Sequence, residues 1–239
     1  IDSACPYSGF CGGCKWQFLK YEKQLVYKRR HVAESLAHIG GIEAVRVHET
    51  IPSRQLFEYR NKMEFSCSDR RWVLPNEMGR DDLDRTFALG LHVPGTFNKV
   101  IDTEVCLLHP PLGNDILAYI REAIRSSDLP PYGLKSHEGF WRFVMLRNSA
   151  FYGHWMVNIV TSLENARVLK PLAHRLMERY PDVVSVVNNV TARKSSVAIG
   201  ESEELLAGEP FFKERIGSLE FIISANSFFQ TNRSEERRV

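Results

Sequence analysis

Lys62-Met63-Glu64-Phe65-Ser66-Cys67 alternates polar and apolar side chains without a break, and a period of two marks a strand with one face in a core. Met63, Phe65 and Cys67 then point inward, and Lys62, Glu64 and Ser66 point outward. Residues 87–92 and 100–103 carry similar strand texture on either side of a Pro94-Gly95 turn, so this part of the chain predicts antiparallel sheet. Further strands are expected over 141–147, 156–161, 183–189, 197–199 and 219–224.

Between these segments the period changes. Within 17–39, Leu25, Val32, Leu36 and Ile39 recur at helical spacing. That helix leaves Lys28-Arg29-Arg30 outward and stops at Gly40-Gly41. Residues 112–125, closed by Pro130-Pro131, and residues 165–180 predict two more helices. The expected fold class is α+β: a mainly antiparallel sheet with flanking helices and an N-terminal cysteine-rich loop.

With 239 residues, 44% of them hydrophobic, the chain can bury a core and form one or two domains. A net charge of +2 is far from the strongly basic balance of a protein that coats nucleic acid, so any such affinity must be local. No run approaches the roughly 18 apolar residues that cross a bilayer. The opening Ile1-Asp2-Ser3-Ala4-Cys5 lacks the basic and apolar regions of a signal peptide. A cytoplasmic location without a membrane partner is the expectation. Residues 233–239, Arg-Ser-Glu-Glu-Arg-Arg-Val, break abruptly from the apolar text before them and read as a non-native tail, a translated sequencing-adapter scar.

Three of the five cysteines crowd into Cys5-Pro-Tyr-Ser-Gly-Phe-Cys11-Gly-Gly-Cys14. An odd number of cysteines, gathered on a glycine-rich loop, argues for metal ligation in a reducing compartment over a disulfide framework. A fourth donor is needed. Cys67 sits on an apolar strand face and reads as an inert core thiol, whereas Cys106 opens a loop ahead of Leu107-Leu108-His109-Pro110; Cys106 is the choice. Four thiolates suit a 4Fe-4S cluster or a structural zinc. Zinc sites usually pair two short hooks, and here only one exists, with the last donor about ninety residues on, so iron-sulfur is favoured and zinc stays open. His92 and His109, without partners at ligand spacing, are expected on the surface or behind a site.

The segment Cys5-x5-Cys11-Gly-Gly-Cys14-x-Trp16-Gln17, followed by Tyr21 and Gln24-Leu25-x-x-Lys28, resembles the bacterial 23S ribosomal RNA 5-methyluridine methyltransferases that carry a 4Fe-4S cluster. Tyr59-Arg60-Asn61-Lys62, Leu89-Gly90-Leu91-His92, the stretch around Cys106, residues 188–200 and Ser227-Phe228-Phe229-Gln230-x-Asn232 extend the resemblance over 5–232. It implies an iron-sulfur cysteine loop at 1–16, a central RNA-contacting α+β domain at 17–224, and the start of a truncated Rossmann-like methyltransferase domain at 225–232. The implied partner is ribosomal RNA, with no obligate protein partner, and the implied methyl donor is S-adenosyl-L-methionine.

In that family a cysteine thiolate adds to C6 of uridine, C5 takes the methyl group, and a base removes the C5 proton. Those groups follow Asn232 in the family's order, so no catalytic residue is expected in this stretch. The resemblance makes Cys5, Cys11, Cys14 and Cys106 the cluster ligands and places Gln230 at the cofactor and target-base pocket. Phe228 or Phe229 is expected either to face the base or to pack in a core. Arg60 and Lys62, flanking Asn61, are the candidates for RNA phosphates, with Lys28-Arg29-Arg30, Arg142 and Arg147 behind them.

Overall fold

The alternation at Lys62 forms a strand in the computed structural model, which describes residues 2–194 and 198–232. β1 (Lys62–Ser68) buries Met63, Phe65 and Cys67 and leaves Glu64 exposed. It lies inside a seven-stranded sheet with β2 (Ala88–His92), β3 (Val100–Asp102), β4 (Trp141–Asn148), β5 (Trp155–Thr161), β6 (Val183–Val190) and β7 (Ser202–Gly208). The spatial order is β3-β2-β1-β4-β5-β6-β7. Every neighbouring pair is antiparallel except β5 and β6. That parallel pair arises because α3 (Ala166–Arg179) carries the chain back across one face between them. The sheet is mainly antiparallel, as expected, with one parallel crossover pair toward its β7 edge.

The helices expected at 112–125 and 165–180 fill one face. α2 (Pro111–Arg125) turns Ile116, Leu117, Ile120 and Ile124 inward, and α3 turns in Leu169, Leu172, Ala173 and Leu176, the apolar stripe of a helix that covers a sheet. Both meet Phe65, Val144, Leu146, Val157 and Ile159 in a single core. Pro111 starts α2 at a position where a missing N–H costs nothing, and the Asn165 side chain caps α3 by accepting from the Val168 N–H. On the opposite face, a hairpin of β8 (Phe212–Ile216) and β9 (Leu219–Ile223) lays Phe212 and Ile223 over Met156 and Val187.

Several expectations change. α1 (Tyr21–His38) is shorter than 17–39 and buries no residue; Val32 and Ile39, expected inward, are 51% and 87% exposed. The helix face of the sheet is already filled by α2 and α3, so α1 leans on 42–53 through polar contacts. Thr50 Oγ1 donates to the Leu25 carbonyl at 3.0 Å, and the Ser53 N–H donates to Tyr21 Oη at 2.7 Å. Lys28, Arg29 and Arg30 are exposed as expected. Of the strand expected at 197–199, Val197 lies outside the described residues, and Ala198 and Ile199 are not in a strand. The tail at 233–239 also lies outside the described residues. β7 and β8 were not anticipated, since Glu203-Glu204-Leu205-Leu206-Ala207 is helix-forming in composition and becomes a strand only by pairing with β6. Among the described residues no helix is long and apolar enough to cross a membrane.

The Asp102 carboxylate, at the end of β3, is buried. Arg121 of α2 donates to it at 3.1 Å, Arg71 at 3.3 Å and the Leu89 N–H at 3.0 Å. Asp102→Ala leaves these guanidiniums facing an uncompensated core and lowers unfolding stability by about 3–5 kcal/mol in a urea titration.

His109, expected on the surface or behind a site, lies in the core three residues past Cys106, with its ring edge-on to Phe65 and Trp155. Burial pushes its pKa down to about 4. The folded state therefore takes up its proton later than the unfolded chain does. His109 contributes fully above pH ~6.5, and as pH falls from there to about 4 up to ~3 kcal/mol is lost. Acid titration of the stability of the wild type and of His109→Phe checks this: the variant flattens the slope in that window.

Candidate functional site

The cysteine loop is built by short-range hydrogen bonds and docked onto the end of β2. The Cys11 N–H donates to the Tyr7 carbonyl at 2.9 Å, and the Gly12 N–H to the His92 carbonyl at 2.8 Å. A Cβ on Gly12 would lie 3.0 Å from that carbonyl oxygen, so this close approach suits glycine. Tyr7 is buried against Leu74 and Ile101, and its hydroxyl accepts from the Glu104 N–H at 2.9 Å. Cys106 is held from the other side: its N–H donates to Asn114 Oδ1 of α2 at 2.8 Å, and Asn114 Nδ2 returns to the Cys106 carbonyl at 3.3 Å.

These two anchors bring Cys5, Cys11, Cys14 and Cys106 to the wall of one small pocket closed by Tyr7, Leu91 and Leu108. Burial pushes the Cys5 and Cys11 thiols up, and pushes Cys106 up to about 11, with the other three thiols adding to the rise. Gln17 Nε2 donates to Cys14 Sγ at 3.1 Å and the Gly13 N–H to Cys11 Sγ at 3.4 Å, while Ser3 Oγ holds Gln17 Oε1 at 2.7 Å. Among the described residues no three His, Cys, Asp or Glu side chains gather closely enough to hold a single metal ion. Cys67 stands apart in the core, its thiol raised by burial.

The segment that carries Gln230 is strapped across the sheet. Arg147 of β4 is buried; its Nη1 donates to the Ser224 and Ala225 carbonyls and its Nη2 to that of Ser227 at 2.6 Å. Farther along, the Asn61 N–H donates to the Thr231 carbonyl at 3.0 Å and Asn61 Nδ2 to the Gln230 carbonyl at 2.9 Å. Asn226 Nδ2 reaches Asn189 Oδ1 at 2.8 Å and Glu203 Oε2 at 2.9 Å. The backbone is thus fixed while the Gln230 side chain stays exposed, and Phe228 is 90% exposed. Phe229 turns the other way, its ring 5.8 Å from that of Phe221.

Two of the cationic candidates are structural. Besides Arg147, Arg142 is buried, donates to the Thr191 and Arg193 carbonyls at 2.7 and 2.6 Å, and stacks 4.2 Å over Tyr132. Neither guanidinium can reach a phosphate without breaking the fold. Arg60 and Lys62 are half-buried at the start of β1. Burial lowers the Lys62 pKa, and Arg147, its partner across the ladder, lowers it further. His92, expected on the surface or behind a site, is half-buried with Nε2 2.8 Å from Ser66 Oγ. Sequence reasoning passed over Asn61, Asn114 and Asn226; their work is to satisfy backbone and side-chain groups in three dimensions, which no spacing announces.

Arg147→Met keeps the volume and removes three carbonyl partners at once. Hydrogen exchange of residues 225–231 then rises at least about tenfold, and unfolding stability falls by about 1–3 kcal/mol. Unchanged protection of that segment would show that Arg147 does not hold it.

No protein-family model matches the chain. It is similar to an RNA methyltransferase of Chlorobaculum tepidum, 45% identical over 235 residues, which are 97% of this chain and 49% of that protein. An RNA methyltransferase of Porphyromonas gingivalis is 34% identical over 235 residues, 95% of this chain and 50% of that protein. Among solved structures, the tRNA (uracil-54, C5)-methyltransferase of Pyrococcus abyssi in complex with S-adenosyl-L-homocysteine superposes with a TM-score of 0.68 at 27% identity, over 97% of this chain and 49% of that one. The chain spans about half the length of the curated relatives it matches, and over that half it shares the sequence and the fold of proteins named RNA methyltransferases.

Proposed function

We propose that this chain is the central, RNA-contacting part of an S-adenosyl-L-methionine-dependent RNA uridine C5 methyltransferase that acts on 23S ribosomal RNA in the cytoplasm. The observation that carries the reading is the convergence of Cys5, Cys11, Cys14 and Cys106 on one pocket, in a chain whose relatives are named RNA methyltransferases. The uracil C5 chemistry is supported by the solved tRNA (uracil-54, C5)-methyltransferase. The ribosomal target rests on the resemblance of the cysteine segment to the 23S ribosomal RNA enzymes, while the solved neighbour is by its name a transfer-RNA enzyme.

The pocket suits a 4Fe-4S cluster held by these four thiolates. Four thiolates are a donor set that either a 4Fe-4S cluster or a structural zinc accepts, and the wide spacing between the 5–14 hook and Cys106 favours the cluster. Cys5, Cys11, Cys14 and Cys106 would hold such a cluster, whose contribution would be to tie the 5–14 loop to Cys106, because methyl transfer is not a redox reaction. Gln17 and the Gly13 amide would hold the Cys14 and Cys11 sulfurs in place.

The chain's own contribution is to bind and orient RNA. Arg60 and Lys62 would meet phosphates at the start of β1, and the exposed Gln230 side chain, on its fixed backbone, would face S-adenosyl-L-methionine and the target base. Residues 17–224 would form the RNA-contacting domain and 225–232 the approach to the methyltransferase domain. The thiolate that adds to C6 and the base that removes the C5 proton belong, on this reading, to sequence beyond Asn232.

The test uses the protein at the length of its relatives, with labelled S-adenosyl-L-methionine and unmodified 23S ribosomal RNA or transfer RNA. 5-Methyluridine in the ribosomal RNA, read by nucleoside mass spectrometry, is expected. Label in transfer RNA alone moves the substrate, and label in neither overturns the reading. Anaerobically purified chain should carry about four irons and four sulfides, lost together in Cys106→Ser; stoichiometric zinc instead would remove the cluster from the proposal.

A further inference from the structure

A cavity of about 530 Å³ opens between the cysteine loop and α1, a size typical of small-ligand sites. Four aromatic rings line it: Trp16, Tyr21, Phe57 and Tyr59. Three are held in place before any ligand arrives. Trp16 stands edge-on to His31 at 5.6 Å, in a turn fixed by Gln24 Nε2, which donates to the Trp16 and Leu19 carbonyls at 3.0 and 2.9 Å. Tyr21 accepts the Ser53 N–H, and Tyr59 packs against the main core. Phe57 completes the wall from the 42–59 segment and is partly exposed.

The polar lining complements the rings. Lys15 and Lys28 stand at the cavity with the carboxamides of Gln55 and Asn232, and Asp2 supplies a carboxylate; Lys28 Nζ lies 5.9 Å from the centre of the Tyr21 ring. A second cavity of about 460 Å³ shares Gln55 and Tyr59 with the first and continues past Asn61 and Trp155. Stacking rings, amide edges and flanking ammonium groups along a groove are the elements that hold single-stranded nucleic acid.

We infer that this cavity seats an unstacked nucleobase of single-stranded RNA, with Trp16 and Phe57 as stacking surfaces and Lys15 and Lys28 beside the neighbouring phosphates. The inference rests on the RNA reading above and goes beyond it, because it names a place for a base within this chain. It also links the cysteine loop to RNA binding. Gly13, Cys14, Gln17 and Leu108 line both the cysteine pocket and this cavity, so the seated base rests on the outer wall of the thiol site. The adenine of S-adenosyl-L-methionine offers the same ring chemistry, but its sulfonium is cationic and the lysines disfavour it.

The test is fluorescence polarisation of the intact chain with two labelled probes, an octauridylate and a short RNA duplex. Trp16→Ala and Phe57→Ala should each weaken octauridylate binding by roughly 5- to 100-fold, the range expected of one lost base stack, and change duplex binding less than twofold. Trp16→Phe should keep most of the affinity. Phe57→Ala removes a partly exposed ring and keeps the test decisive if Trp16→Ala disturbs the loop. Octauridylate binding unchanged in both alanine variants overturns the base site and leaves the RNA reading standing. A wild-type chain that binds neither probe overturns the RNA reading and the site with it. Displacement of octauridylate by micromolar S-adenosyl-L-methionine, abolished in Phe57→Ala, would assign the cavity to the cofactor and overturn the proposal.

Discussion

The buried Asp102 carboxylate is the constraint on which the thiol site depends. It ends β3, four residues before Cys106, and it joins three elements: Arg121 from α2, Arg71 from the segment ahead of β2, and the Leu89 amide of β2. Arg121 also donates to the Leu89 and Thr103 carbonyls, so its guanidinium holds the chain on both sides of Asp102. A carboxylate this deep is tolerable only because its lone pairs are occupied by cations and an amide. The result is that Thr103 and Cys106 leave the sheet edge along one fixed path, toward the loop that brings Cys5, Cys11 and Cys14. The same α2 supplies Asn114 to the Cys106 backbone, so helix packing and donor placement are one event.

Arg147 plays the corresponding part at the other end of the chain. Its three carbonyl contacts and the two Asn61 contacts turn 224–231 into a strap across the sheet. Asn232, at the end of this strap, lines the same cavity as Trp16 and Asp2. The thiol pocket, the aromatic cavity and the segment carrying Gln230 therefore share one side of the molecule, each set there by a buried polar group.

Legibility in the sequence followed the range of the forces involved. The strands at 62–67 and 87–92 and the stripes of α2 and α3 were readable because their apolar texture is local, although Ser66, expected outward, is buried. That Cys106, and not Cys67, would join the loop cysteines at one pocket was readable because Cys67 sits on an apolar strand face and Cys106 opens a loop. β7 was hidden by helix-forming residues that pair with β6, and α1 was misjudged because its apolar positions had no sheet left to cover. Arg142 and Arg147 looked like nucleic-acid contacts because sequence cannot distinguish a guanidinium aimed at a phosphate from one aimed at a backbone carbonyl. The aromatic cavity draws on Trp16, Phe57 and Tyr59, from segments brought together by the docking of the cysteine loop and by the contacts of α1 with 50–53, and no window of sequence contains it.

The buried arginines also change what the net charge means. The formal +2 counts the buried Arg121, Arg142 and Arg147 and the buried Asp102 and Glu214, so burial withdraws three cations and two anions from the field outside. The surface left to attract a polyanion is less basic than the composition implies. Affinity built on counterion release scales with the phosphates that cations can reach, and beside the aromatic cavity those cations are Lys15 and Lys28, with Arg29 and Arg30 exposed farther along α1 and Arg60 and Lys62 half-buried. Stacking does not depend on net charge and is weakened little by salt. A chain with a nearly neutral surface and a preformed aromatic cavity is therefore suited to select an unpaired base from a folded RNA, where a basic surface would adhere to any duplex that presented its phosphates.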